Sequence, residues 1–192
     1  MTPTITLGLF ILFLALTPGP VNLLLMTCGA QYGVQTCMAF NLGTVISFTL
    51  LNLAVGFGIG GFIAESSVIQ TLLKFISGGY MIWLAVQSWN PHHKRPITES
   101  HFTVQNGFLL SLLNPKAWAA LILVWTDFAD ELGPFVIQII TIVGIFLIVQ
   151  ITCQTIWCSM GTLLGHSIKQ SVLMIRTMIG VTVTVILTIL IM

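Results

Sequence analysis

The chain has 192 residues, of which 56% are hydrophobic and 6% charged, with a formal net charge of +1. A soluble domain carries about 25% charged residues, so this chain lacks the charge to cover a water-facing surface. Composition therefore excludes a soluble globular protein and leaves an all-α integral membrane protein, read as one unit over residues 1–192.

A helix that spans a bilayer needs about 20 mostly apolar residues. Six segments meet that length: Ile5–Thr27, Val34–Ala64, Val68–Trp89, Val104–Thr126, Pro134–Leu164 and Val172–Met192. The first has neither a basic leader nor a small-residue cleavage site, so it is read as a retained helix. It is interrupted by "TPGPVN", with Pro18, Gly19, Pro20 and Asn22 inside the apolar run. The second carries Asn41 and Asn52 eleven residues apart, about three turns and one face, and ends near "GFGIGG". After the third comes the longest polar stretch, "NPHHKRPITESHF". The fourth is interrupted midway by "LLNPKAW", which contains Asn114, Pro115 and Lys116. Along the fifth, Gln150 and Gln154 share a face. The glutamine and asparagine stripes fit either a cavity lining or hydrogen bonds inside a bundle. The pairs Gly56/Gly60 and Gly161/Gly165 have the spacing of close helix packing.

The remaining polar residues carry less. Cys28, Cys37, Cys153 and Cys158 form neither a metal pair nor a redox motif, and all are expected as free, packed thiols. His92, His93 and His101 are expected in a solvated loop beside Lys94 and Arg95, with no metal bound. Lysine and arginine concentrate on the cytoplasmic side. Lys94, Arg95 and Lys169 therefore place the 3–4 and 5–6 connections inside, and the acidic 4–5 connection with Asp127, Asp130 and Glu131 outside. Both termini are then periplasmic.

Three helices on each side of the loop at 90–103 give two halves of opposite orientation, about 5–89 and 104–192. The first helix of each half is the one broken by proline. Matching Gly/Pro breaks in corresponding segments of inverted repeats point to a transporter's binding site. Lipid cannot satisfy the backbone groups that a break sets free. Lys116 is the only charge deep within an apolar run. Such a group is a functional candidate by default, able to pair with a ligand carboxylate or to give up its proton on desolvation. Asn22 and Asn114 offer both donors and acceptors, as a zwitterion requires.

"LTPGPVNLLL", "KFISGGYMIWLA" and "GFLLSLLNPKAW", in this order and spacing, resemble the lysine exporter (LysE/RhtB) family over essentially the whole chain. The resemblance implies a secondary transporter of the bacterial inner membrane that exports amino acids or close derivatives, generally at the expense of the proton gradient. "MTPT" and the run from Trp157 to His166 are most similar to its cysteine and O-acetylserine exporters. Val21 follows TPGP where the family has Asn, Ser47 stands at a common glycine, Gln31 and Gln35 replace basic residues, and a proline frequent after NPK is absent. These departures bear on substrate identity.

The expected ligand site is accordingly Pro18, Gly19, Pro20, Asn22, Asn114, Pro115 and Lys116. Asn41, Asn52, Gln150 and Gln154 are candidate lining, and Lys116 and Asp127 are candidates for proton coupling. No cofactor and no nucleic acid is expected, since there is no phosphate-cradling loop, GxGxxG or CxxCH. The expected partners are a small amino-acid substrate and the lipid bilayer, with a homodimer left open. A metal-ion transporter on a related fold is the alternative, against which all five acids lie at segment ends or in loops. A membrane enzyme would need a convergent acid, base or nucleophile set, and a purely structural subunit would have no use for paired breaks. The topology has a direct check. In a background without native thiols, a His93→Cys variant should react with a membrane-impermeant maleimide only after the cells are opened; labelling of intact cells from the periplasm would reverse the orientation.

Overall fold

The computed structural model describes residues 2–60, 65–87, 102–167 and 172–191, and among these the chain is helical with no strand. Among the described residues seven α-helices follow one another: α1 (Pro3–Leu16), α2 (Pro20–Ala54, continuing as a π-helical turn, Val55–Ile59), α3 (Ser67–Gln87), α4 (Val104–Leu112), α5 (Pro115–Phe128), α6 (Phe135–Ser167) and α7 (Val172–Ile191). Most of the 90–103 connection, with its three histidines, Lys94 and Arg95, lies outside the described residues, as does Lys169.

The breaks expected from proline are real interruptions. Thr17–Gly19 separates α1 from α2, and Pro20 occupies the first turn of α2, where its missing N–H costs nothing. Leu113 and Asn114 separate α4 from α5, whose axes bend by 57°. Two stretches, Pro20–Ile59 and Phe135–Leu164, are long and apolar enough to cross a bilayer, and α4 with α5 makes a third when taken as one span. Phe13, Ile140 and Ile148 are among the many large apolar side chains left outward-facing, as a lipid-facing surface requires.

The connection expected at 28–35 is tighter than its sequence suggests. Gly33, at φ 78° and ψ 166°, is the one non-helical residue inside α2, in a region that glycine enters without steric cost. Here the helix folds back on itself. Met26 and Gly29 in the first arm pack on Gly161 and Cys158 of α6. In the second arm, Thr44 meets Gln154 and Gln150, and Phe48 meets Phe146. Earlier in the first arm Asn22 shares a cavity with Gln150 and Gln154, and later the Gly29 carbonyl accepts from the Thr162 hydroxyl, so this arm runs parallel to α6 and the second antiparallel. Cys28 and Cys37 face each other across this turn and form a disulfide, with Cα atoms 5.9 Å apart. This corrects the expectation of four free thiols. In a straight helix nine residues would span about 13.5 Å, and it is the fold at Gly33 that brings these two together. Cys153 and Cys158 are free and buried.

The helices approach at backbone distance. A Cβ on Gly29 or Gly161 would fall within 2.0 Å of the Cys158 or Met26 carbonyl oxygen. Gly43 and Gly107 form the equivalent contact between the second arm of α2 and α4, against the Val104 and Phe40 carbonyls. Of the GxxxG pairs, Gly161 serves this packing, Gly56 receives the Trp125 ring and Gly60 lies against Val55 and Ile122; the surroundings of Gly165 lie outside the described positions. Two apolar clusters result. One holds Leu24, Phe40, Leu110, Ile179 and Ile186, the other Leu7, Ile11, Leu51, Leu121, Ile142 and Phe146.

Overpacking a tight interior costs about 1–3 kcal/mol, and here the obstructing atoms are backbone. Gly29→Ala and Gly161→Ala should each lower the thermal midpoint of the purified protein and its yield in the membrane. Gly8→Ala, with nothing within 4 Å of its Cβ position, should change neither. Equal midpoints for all three variants would contradict this packing.

Candidate ligand site between two broken helices

The first break leaves the carbonyls at the end of α1 without helical partners: Pro18 and Pro20 have no N–H for Leu14 and Leu16, and the chain leaves the helix before Gly19 and Val21 can serve Ala15 and Thr17. The Thr17 N–H and hydroxyl both donate to the Phe13 carbonyl, at 3.1 and 2.7 Å. Side chains take over beyond that point. Asn22 Nδ2 donates to the Ala15 carbonyl at 2.9 Å and to the Thr17 carbonyl at 3.2 Å. Lys116 Nζ, from the other break, donates to the same Thr17 carbonyl at 2.8 Å.

The second break is handled by the same principle. Asn114 is the N-cap of α5, and its Oδ1 accepts the Lys116 N–H at 3.1 Å. That diverts the N–H which would otherwise bond the Leu112 carbonyl, and Trp118 Nε1 donates to that carbonyl instead, at 2.9 Å. Phe10 packs against Phe128 with ring centroids 5.3 Å apart, while Thr17 meets Lys116. Hence α1 and α5 are antiparallel neighbours, and the C-terminal end of one half-helix faces the N-terminal end of the other.

A partly open cavity of about 90 Å³ lies where the breaks meet. Its polar wall is formed by Asn22, Ser111, Asn114, Lys116, Gln150 and Gln154. Its apolar wall includes Leu14, Val21, Phe48, Ala117, Ala120 and Phe146. Among the described residues, no Asp or Glu lines the cavity, and Lys116 supplies the only formal charge there. Gly19 lets the lysine stem pass: a Cβ there would sit 3.3 Å from both Cδ and Nζ of Lys116.

Of the residues expected at a ligand site, Gly19, Asn22, Asn114 and Lys116 line this cavity together, and Gln150 and Gln154 join them. Pro18, Pro20 and Pro115 shape the breaks without forming its wall. Asn41 and Asn52 are buried elsewhere. Asn41 lies next to Thr44, whose hydroxyl is 2.7 Å from the Asn41 carbonyl and 2.9 Å from Gln154 Oε1. Asn52 Oδ1 accepts a hydrogen bond from Trp125 Nε1 at 2.8 Å. The Asn52 Nδ2 and Ser47 Oγ have no hydrogen-bond partner among the described residues. Asp127 is exposed near the end of α5, outside the cavity. Sequence reasoning missed Ser111, Trp118 and the Phe48–Phe146 pair. Ser111 stands one turn before Asn114, and that spacing could have revealed it. The two rings come together only through the antiparallel packing of α2 and α6.

The model of the LysE type translocators matches residues 12–192. The chain belongs to that family. It is accordingly a membrane transporter and not an enzyme. An uncharacterised membrane protein of Vibrio cholerae is 28% identical over 84% of this chain and 82% of its own length. A leucine efflux protein of an Enterobacter strain is 25% identical over 66% of this chain and 63% of its own. The homoserine/homoserine lactone efflux protein of Salmonella typhimurium is 23% identical over 81% and 79%. No solved structure matches the chain.

In this translocator, Asn22 is the residue that closes the end of α1. Leaving a buried acceptor unsatisfied costs about 1–3 kcal/mol, so Asn22→Leu, similar in size but without the amide, should lower the thermal midpoint measurably. An unchanged midpoint would mean that these two hydrogen bonds contribute nothing to the break.

Proposed function

We propose that this translocator is a secondary exporter of amino acids or close derivatives, acting across the bacterial inner membrane and drawing on the proton gradient. The observation that carries the reading is the meeting of two proline breaks, with the one deep lysine, on a single cavity. Backbone carbonyls, amides and an ammonium gather there beside an apolar wall, matching the two ends of a small zwitterion and its side chain. Family membership and relatives named for leucine and homoserine efflux support the same substrate class.

In this reading α1 with the first arm of α2 forms one broken span, and α4 with α5 forms its counterpart. Together with the second arm of α2, α3, α6 and α7 they make six spans in two inverted three-helix repeats, with both termini periplasmic. The first N–H groups of α2 have no side-chain cap, since Gly19 occupies that position, and a substrate carboxylate fits there beside Lys116. Lys116 is the favoured proton-coupling group because it lies in the cavity, whereas Asp127 does not. The metal-ion alternative would need a cluster of carboxylates or histidines, and among the described residues no three potential ligands gather.

Export from inverted or substrate-loaded vesicles, followed for a panel of amino acids, tests the coupling. An uncoupler should stop it. Undiminished export under an uncoupler, with a requirement for ATP, would exclude secondary transport. Lys116→Met should insert at normal abundance and fail to export, because removing an intramembrane charge does not hinder insertion. Export at the wild-type rate would remove the lysine from the site.

A further inference from the structure

The cavity poses a charge problem. Among the described residues that line it there is one cation, Lys116, and no carboxylate. A substrate ammonium entering it would meet a like charge and no anionic partner. Leu14 and Ala15, in the last turn of α1, line the cavity, and the carbonyls of that helix end, at its negative pole, are reached from the cavity by Asn22 and Lys116. The Thr17 carbonyl is the focus of these: it already accepts from Asn22 at 3.2 Å and from the Lys116 ammonium at 2.8 Å.

We infer that the Lys116 ammonium and the substrate's own compete for the Thr17 carbonyl, so that Lys116 yields it when substrate binds. The inference rests on the exporter reading. The incoming ammonium takes over the Thr17 carbonyl and displaces Lys116, which then pairs with the substrate carboxylate. No bond is made or broken other than hydrogen bonds, and the filled cavity gains no net charge when the substrate is a zwitterion. Three features of the site favour the exchange. The lysine reaches the carbonyl on a flexible stem from the opposite break, so it can withdraw without moving either helix. Gly19 leaves the path of that stem open. Asn22 keeps the Ala15 and Thr17 carbonyls in place through the exchange, since its own bonds do not depend on Lys116. The site is thus specific for a primary ammonium, and the lysine acts as a tethered competitor as well as a carboxylate partner.

Calorimetric binding to the detergent-purified full chain separates these roles. The probes are L-leucine and L-homoserine, the amide of each, which keeps the ammonium but lacks the carboxylate, and that amide trimethylated on its α-nitrogen, which keeps the charge and the carboxamide but has no N–H donor on the ammonium. Lys116→Met should bind the primary amides more tightly than wild type by about tenfold, the change that a charge-assisted hydrogen bond carries. The trimethylated amides should gain nothing. Lys116→Arg, whose guanidinium is always charged and rich in donors, should bind the primary amides no better than wild type. Equal gains for primary and trimethylated amides would reduce the effect to the field of the lysine and overturn the inference. So would unchanged amide affinity with weaker amino-acid binding, the signature of a carboxylate clamp alone. In both those cases the exporter reading survives. Absence of binding to wild type and variants for every probe would bring down that reading of the cavity and the inference with it.

Discussion

The carbonyls that end α1 govern the rest of this structure. They are partly buried, the chain leaves the helix before Gly19 and Val21 can donate to the Ala15 and Thr17 carbonyls, and hydrocarbon offers them nothing. Their partners must come from the protein. Asn22 reaches back from the next helix, and Lys116 reaches across from the other half of the chain. The second contact ties two segments that are far apart in sequence. It lies where the N-terminal end of α5 meets the C-terminal end of α1, helices also packed through Phe10 and Phe128, and the cavity opens at that meeting.

That arrangement depends on how closely the surrounding helices approach. Gly29 and Gly161 let the first arm of α2 lie on α6, and Gly43 and Gly107 let the second arm lie on α4. Both contacts are backbone on backbone, the mode that suits a medium in which apolar side chains gain nothing by leaving lipid. The turn at Gly33 sends the two arms of α2 in opposite directions along α6, with the Cys28–Cys37 disulfide across it. As a result α6 contributes Gln150 and Gln154 to the same cavity that the breaks open.

The buried polar residues divide by whether the backbone around them is broken. Near the breaks, Asn22, Asn114 and Trp118 replace lost helical bonds, so their positions follow from the prolines. Away from the breaks, Asn41, Thr44 and Gln154 form a network between α2 and α6, and Asn52 is joined to Trp125. These contacts fasten helices whose backbones are intact. The cavity side of Gln154 and the network side of Asn41 are therefore two ends of one polar strip, with Thr44 between them.

Much of this was legible in the chain itself. Scarcity of charge and the length of the apolar runs required a helical membrane protein, because no other structure in hydrocarbon could satisfy so much backbone within each segment. Pro18, Pro20 and Pro115 marked the breaks through the chemistry of a missing N–H, which no context restores. Lys116 stood out because a charge in an apolar run demands a partner. What the chain did not disclose was which partner. That the ammonium meets the Thr17 carbonyl, that Gln150 and Gln154 face the cavity while Asn41 and Asn52 do not, and that Cys28 meets Cys37 were all decided by the tertiary structure. Each of these depends on the direction in which one helix passes another. Helix direction and rotation are set by close backbone contact at a few glycines, and a one-dimensional pattern of apolar and polar residues records the face of a helix but not what lies opposite it.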